Sequence, residues 1–233
     1  MCSANSLRIT FLPTRRKRPT AASTPPAIIR PIDASRLKTY PLQRRHSKVQ
    51  VSNFAKVWTK GRSFARFLDS LPDILAVKTL REVAQAIAKA HRNGRPVIVG
   101  MGAHVVKVGL GPLLVDLMER GIVTALAMNG AVIIHDFELA FMGHTSEEVD
   151  AEIDSGRFGM AEETGRMLNE AITLGMKEGQ GLGESLGSYI HRRKQLFPHR
   201  ATSLLATGFR LGLPVTVHVA VGTDIIHMHP QAS

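Results

Sequence analysis

An α/β domain built on a parallel sheet is the fold this sequence predicts, on three observations. Three short apolar runs, residues 96–100, 122–128 and 215–221, have the length and continuity of buried parallel strands. Stretches of helical periodicity separate them, the alternation expected of strand–helix–strand units. Each run ends in a loop of glycine plus a polar side chain, where open parallel sheets hold their ligands.

The elements follow in order. Residues 1–31 are rich in Arg, Ser, Thr and Pro and carry no apolar period, so they are predicted to form a disordered basic arm. The arm has no apolar core of a secretory signal. Its composition also fits a mitochondrial transit peptide or a nucleic-acid tail, and a solvated extension is the reading kept. Residues 32–78 read as a helical or extended lead-in that firms up over 64–75. The partial α/β domain then occupies 79–233. Thr79 followed by Glu82 has the spacing of a capping box and predicts a helix start, with Val83, Ala86, Ile87 and Ala90 on one face and Asn93-Gly94 as its stop. After the first strand, Pro112 suits the first turn of a second helix, which turns Leu113, Leu114, Leu117 and Met118 inward and stops at Gly121. The second strand leads into a mostly helical stretch over 134–194, broken by glycines and restarted at the box Thr145 to Glu148. A last helix over 203–211 passes through Pro214 into the third strand.

Composition narrows the function. Hydrophobic residues make up 44% and aromatic residues 5%, so the core should be aliphatic. No apolar run reaches the roughly 20 residues that span a bilayer, which excludes a helical membrane protein. One cysteine, Cys2, excludes a disulfide framework. The net charge of +11 is not a nucleic-acid signal for the domain. Residues 1–62 hold 14 of the 30 Lys and Arg and one acid, Asp33, a balance of +13, whereas residues 63–233 balance at −2.

The strand-end loops carry the candidate site: Gly100-Met-Gly102-Ala103-His104, Asn129-Gly130-Ala131 and Gly222-Thr223-Asp224. Glycine there lets a ligand approach the backbone, and a following helix N-terminus offers free N–H groups to a phosphate. The first loop lacks the third glycine of the dinucleotide fingerprint, since Val105 stands in its place. His135 and Asp136 suit orientation of a substrate amine or cofactor hydroxyl. The acids between Glu147 and Asp154 read as a solvated helix face. His218, Asp224 and His227 would suit a metal-dependent hydrolase, but no HExxH-type pair accompanies them and no metal ligand is assigned.

Residues 100–138 (GMGAHVVKVGLGPLLVDLMERGIVTALAMNGAVIIHDFE) and 211–230 (LGLPVTVHVAVGTDIIHMHP) resemble the deoxyhypusine synthase family, most strongly its uncharacterised bacterial relatives. With the linking helices the resemblance runs from about residue 38 to the end. It implies a Rossmann-like, NAD-binding fold in a cytoplasmic homotetramer with sites between subunits. It also implies a reaction: NAD oxidises spermidine, and the aminobutyl group passes through an enzyme-lysine imine to an acceptor amine. That acceptor is a lysine of the initiation factor five-A precursor in the true synthases. By position, Ala103-His104 match the family's Ser-Asn loop, Asn129-Gly130-Ala131 its Thr-Ala-Gly, and Thr223-Asp224 its Thr-Asp, which places Asp224 against NAD.

Two departures qualify the match. The family's carboxylates before Asp136 are replaced by Ile134 and His135, which removes partners for a polyamine's ammonium groups. The chain also stops at Ser233, ahead of the family's further strands, its glycine-rich NAD loop and its imine-forming lysine. Only Lys107 lies near a strand-end loop, so the fold is expected to be incomplete at its C-terminus and inactive in aminobutyl transfer. The alternative is a non-catalytic nucleotide-binding module used for ligand sensing.

Overall fold

The computed structural model describes residues 32–232, and the basic arm of residues 1–31 lies outside them. The chain divides into two units, the first ending at Lys48. Within that first unit, residues 32–48 are exposed and form two 3-10 turns, Ala34–Arg36 and Leu42–Arg44. The Asp33 carboxylate caps the earlier turn by accepting from the Ser35 amide at 3.1 Å.

The second unit starts at Val49. Its first helices are α1 (Phe64–Ser70), capped by the Ser63 hydroxyl, and α2 (Leu75–Arg92). The Arg81 guanidinium on α2 donates to the carbonyls of Leu68 and Leu71, so a cation closes the carbonyl end of α1. The helix expected from Thr79 in fact begins at Leu75. Thr79 already lies in the helix, its hydroxyl donating to the Leu75 carbonyl, so it is unable to act as an extended N-cap. The expected apolar face exists but no α2 residue is buried, and Val83 is 51% exposed. Gly94, at φ 61°, follows the helix end as expected.

Next come β1 (Ile98–Met101), α3 (His104–Lys107), α4 (Gly111–Glu119), β2 (Ala125–Asn129) and α5 (Gly130–Met142). They are followed by α6 (Val149–Glu152), α7 (Glu162–Lys177), α8 (Leu182–Arg192), α9 (Leu204–Leu211) and β3 (Val215–His218). The three strands form a parallel sheet in the order β1-β2-β3, with Gly100 opposite Ala127 and Asn129 opposite His218. Among the described residues no helix is long and apolar enough to cross a membrane.

The strand order explains which face is covered. Both crossovers step the same way across the sheet, and right-handed crossovers then put their helices on one side. Val99, Met101, Leu126, Met128, Val215 and Val217 share that side and join the core. The other side carries Ile98 at 65% exposure, with Gly100, Thr216 and His218 also exposed. Strand periodicity is therefore two-sided in outcome, although the runs read as buried on both faces.

Other expectations shift locally. Pro112 does sit in the first turn of α4, but Leu113 points outward at 62% exposure while Met118 is buried. No helix starts at Thr145: α6 begins at Val149, and the Thr145 hydroxyl is taken by Glu138. The helix expected over 203–211 is α9, with Ser203 just outside it as the N-cap, its hydroxyl accepting from the Ala206 amide at 3.0 Å. The core is aliphatic around β2, yet four rings gather beside it. Phe137 and Phe141 meet Phe197 at 5.3 and 5.7 Å, and Tyr189 meets it at 6.0 Å. Few aromatics suffice when most of the buried ones share one cluster.

Candidate functional site

The three strand-end loops converge. Asn129 closes β2 and caps α5, its Oδ1 accepting from the Val132 amide at 3.3 Å. That places its Nδ2 3.8 Å from where a side chain on Gly102 would begin, so the first and second loops touch. The third loop comes closer still. A methyl group on Gly130 would collide with Asp224 Oδ2 and lie 2.6 Å from its carboxyl carbon. Glycine at 130 is therefore what lets the Asp224 carboxylate rest against the first turn of α5.

The residues around this junction differ in access. Gly102, His104, Asn129 and Thr223 are exposed, Ala131 and Asp224 are half-buried, and Ala103 and Gly130 are buried. No atom comes within 4 Å of a side-chain position on Gly100, so the backbone there is open to a ligand.

Beyond the loops, α5 carries His135 into a hydrogen-bonded chain. The Thr145 hydroxyl donates to Glu138 Oε2, and the Thr164 hydroxyl donates to Glu138 Oε1 at 2.9 Å. With its one hydrogen committed, Thr145 Oγ1 must accept from His135 Nδ1, 2.6 Å away. His135 is thereby fixed as the Nδ1–H tautomer, and its Nε2 carries a free lone pair. Burial holds the imidazole below its ordinary pKa; the Lys107 and His104 charges push the same way, and Glu138 opposes them. The arrangement is a proton acceptor at Nε2 whose cationic form would be steadied by Glu138 through Thr145.

Asp136 is placed elsewhere. Its carboxylate is buried at the N-terminus of α9, where it accepts from the Ser203 hydroxyl at 2.6 Å and from the Leu204 and Leu205 amides at 2.8 and 3.3 Å. It faces no open space, and its role is to cap a helix rather than to touch substrate. Burial nevertheless raises its pKa to about 6, against the lowering effect of those three hydrogen bonds.

The hydrolase set of His218, Asp224 and His227 does not come together as ligands. His218 Nε2 bonds the Thr216 hydroxyl at 3.0 Å, and His227 Nδ1 accepts from the Gly222 amide at 3.2 Å. Among the described residues no group of three His, Cys, Asp or Glu side chains is able to hold a metal ion. The sequence singles out neither Glu138 nor Thr164, and Thr145 only as the head of a capping box. Glu138 is findable, because it lies three residues from His135 and so on the same face of α5. The threonines come from a loop and from α7, 7 and 26 residues from Glu138, and no local pattern ties them to it.

No family model matches the chain, and no curated protein matches it.

Proposed function

We propose that the chain binds NAD across the carboxyl ends of β1, β2 and β3 and belongs to an aminobutyl-transfer system of the deoxyhypusine synthase type, with a polyamine-like amine as substrate. The observation that carries the reading is the Asp224 carboxylate lying on Gly130 at the N-terminus of α5. A carboxylate beside the carboxyl end of a parallel strand suits ribose hydroxyls, and a helix N-terminus beside it suits a phosphate. The residues that would contact the dinucleotide are Gly102, Ala103 and His104 of the first loop, Asn129, Gly130 and Ala131 of the second, and Thr223 and Asp224 of the third. NAD, when bound, supplies a hydride acceptor.

In this reading the chain's own work is binding and orientation. His135 Nε2 accepts a hydrogen bond from the substrate ammonium, and Glu138, reached through Thr145, balances the positive charge there. The Rossmann-like assignment belongs to the same proposal, as does assembly into a tetramer.

Calorimetry with NAD tests it. The chain should bind, and Asp224→Ala should weaken binding about tenfold or more, the loss of hydrogen bonds to a charged group, while circular dichroism stays unchanged. Gly130→Ala should do the same by displacing the carboxylate. A well-folded chain that binds no NAD overturns the reading. Incubation with NAD and labelled spermidine should give no labelled acceptor. Lys107, the amine beside His135, is exposed and does not match the family's imine-forming lysine. Labelling that disappears in Lys107→Ala would show that this lysine does carry the transfer.

A further inference from the structure

A second concentration of charge lies away from the strand ends, and it has the opposite character. The end of α8, the loop after it and the C-terminal turn of α9 enclose a cavity of about 450 Å³. Into it converge His191, Lys194, Arg200 and Arg210, with the buried Thr207 on its wall and Glu119 as its acid. Glu119 is engaged by Arg210 at 2.5 Å, which leaves the positive charge of Lys194 and Arg200 uncompensated. Arg200 is steered by its bond to the Lys194 backbone carbonyl at 3.4 Å, and both side chains line the cavity.

From this cavity we infer a binding site for a small phosphoanhydride, a pyrophosphate or the diphosphate of a nucleotide, gripped by Lys194 and Arg200. Guanidinium and ammonium groups converging from separate elements are the usual recognition chemistry for phosphate oxygens. The concave shape and volume suit a small molecule rather than a flat polyanion surface. His191 reports the field there. Burial lowers its pKa first, and Lys194, Arg200, Arg210 and Arg192 each lower it further. Phe209 packs 5.7 Å from the His191 ring and 5.4 Å from the Arg192 guanidinium. None of these residues belongs to the strand-end loops, so the site stands apart from the NAD reading and goes beyond it.

Proton NMR of the histidine ring hydrogens in the full chain tests the assignment, with the His191 signal identified by its loss in His191→Gln. Pyrophosphate should move the His191 pKa upward, because a bound anion offsets the surrounding cations, whereas sodium chloride at equal ionic strength should move it less. The exposed position of Lys194 lets Lys194→Gln with Arg200→Gln keep the fold, checked by circular dichroism. That pair should abolish the pyrophosphate-specific shift and weaken calorimetric binding at least about tenfold. ADP binding as tightly as pyrophosphate would assign the site to a diphosphate group in either setting; much tighter ADP binding would assign it to a nucleotide. Asp224→Ala should leave pyrophosphate binding intact, which separates the outcome from that of the NAD test. An unmoved His191, a shift equalled by chloride, or undiminished binding in the double variant would overturn the inference.

Discussion

Replacing Asp136 with alanine should destabilise the protein by about 3 kcal/mol or more, the larger part of a typical domain's margin. The substitution leaves the Leu204 and Leu205 amides and the Ser203 hydroxyl without their acceptor in a site from which water is excluded. Asp136→Asn should cost less, because an amide oxygen still accepts and no charge has to be buried. The pH dependence has a definite sign. A carboxyl whose pKa is raised to about 6 on folding contributes its stability fully below the unfolded value of 3.8 and loses it as pH rises through about 6. At roughly 1.4 kcal/mol per unit, the effect approaches about 3 kcal/mol between pH 4 and 7. Urea unfolding of the wild type and Asp136→Asn at pH 5 and 7 checks this. The wild type should lose stability toward pH 7, and the variant's profile should be flatter. Equal slopes would mean that the carboxylate is ionised without cost, compensated by its three donors.

Gly183→Ala should be comparably damaging, for a steric reason. The new methyl group would stand 2.9 Å from the carbonyl carbon of Val215 and closer still to its oxygen. That obstacle is strand backbone, unable to rotate aside, so α8 has to back away from β3. Overpacking of this kind costs about 1–3 kcal/mol and occasionally more. The nearby Gly181→Ala is the control: nothing lies within 4 Å of its new methyl group, and only the N-cap preference is lost, less than about 1 kcal/mol. Thermal unfolding of the two variants should separate them by several degrees, Gly183→Ala melting first. Because β3 leads into the Asp224 loop, Gly183→Ala should also weaken NAD binding. Identical melting temperatures would show that α8 and β3 yield more easily than a packed helix–strand contact should.

By itself the sequence determined the features that neighbouring residues encode. Apolar runs marked the three strands, helical periodicity over 203–211 marked α9, and Gly94 and Gly121 marked helix ends. Each depends on torsional preference or periodicity within a few residues, so it is written locally. Tertiary structure decided the rest. Thr79 and Thr145 both head a capping-box pattern, yet one lies inside α2 and the other serves Glu138, because a hydroxyl goes to whichever partner the folded backbone offers. Asp136 looked like a ligand beside His135, but successive helix residues point about 100° apart, and packing turned one carboxylate inward to a helix 67 residues away. The bare side of the sheet follows from strand order, and the meeting of Gly130 with Asp224 joins residues 94 positions apart. Interactions across such separations leave no trace in local pattern, since they exist only once the chain has closed around its core.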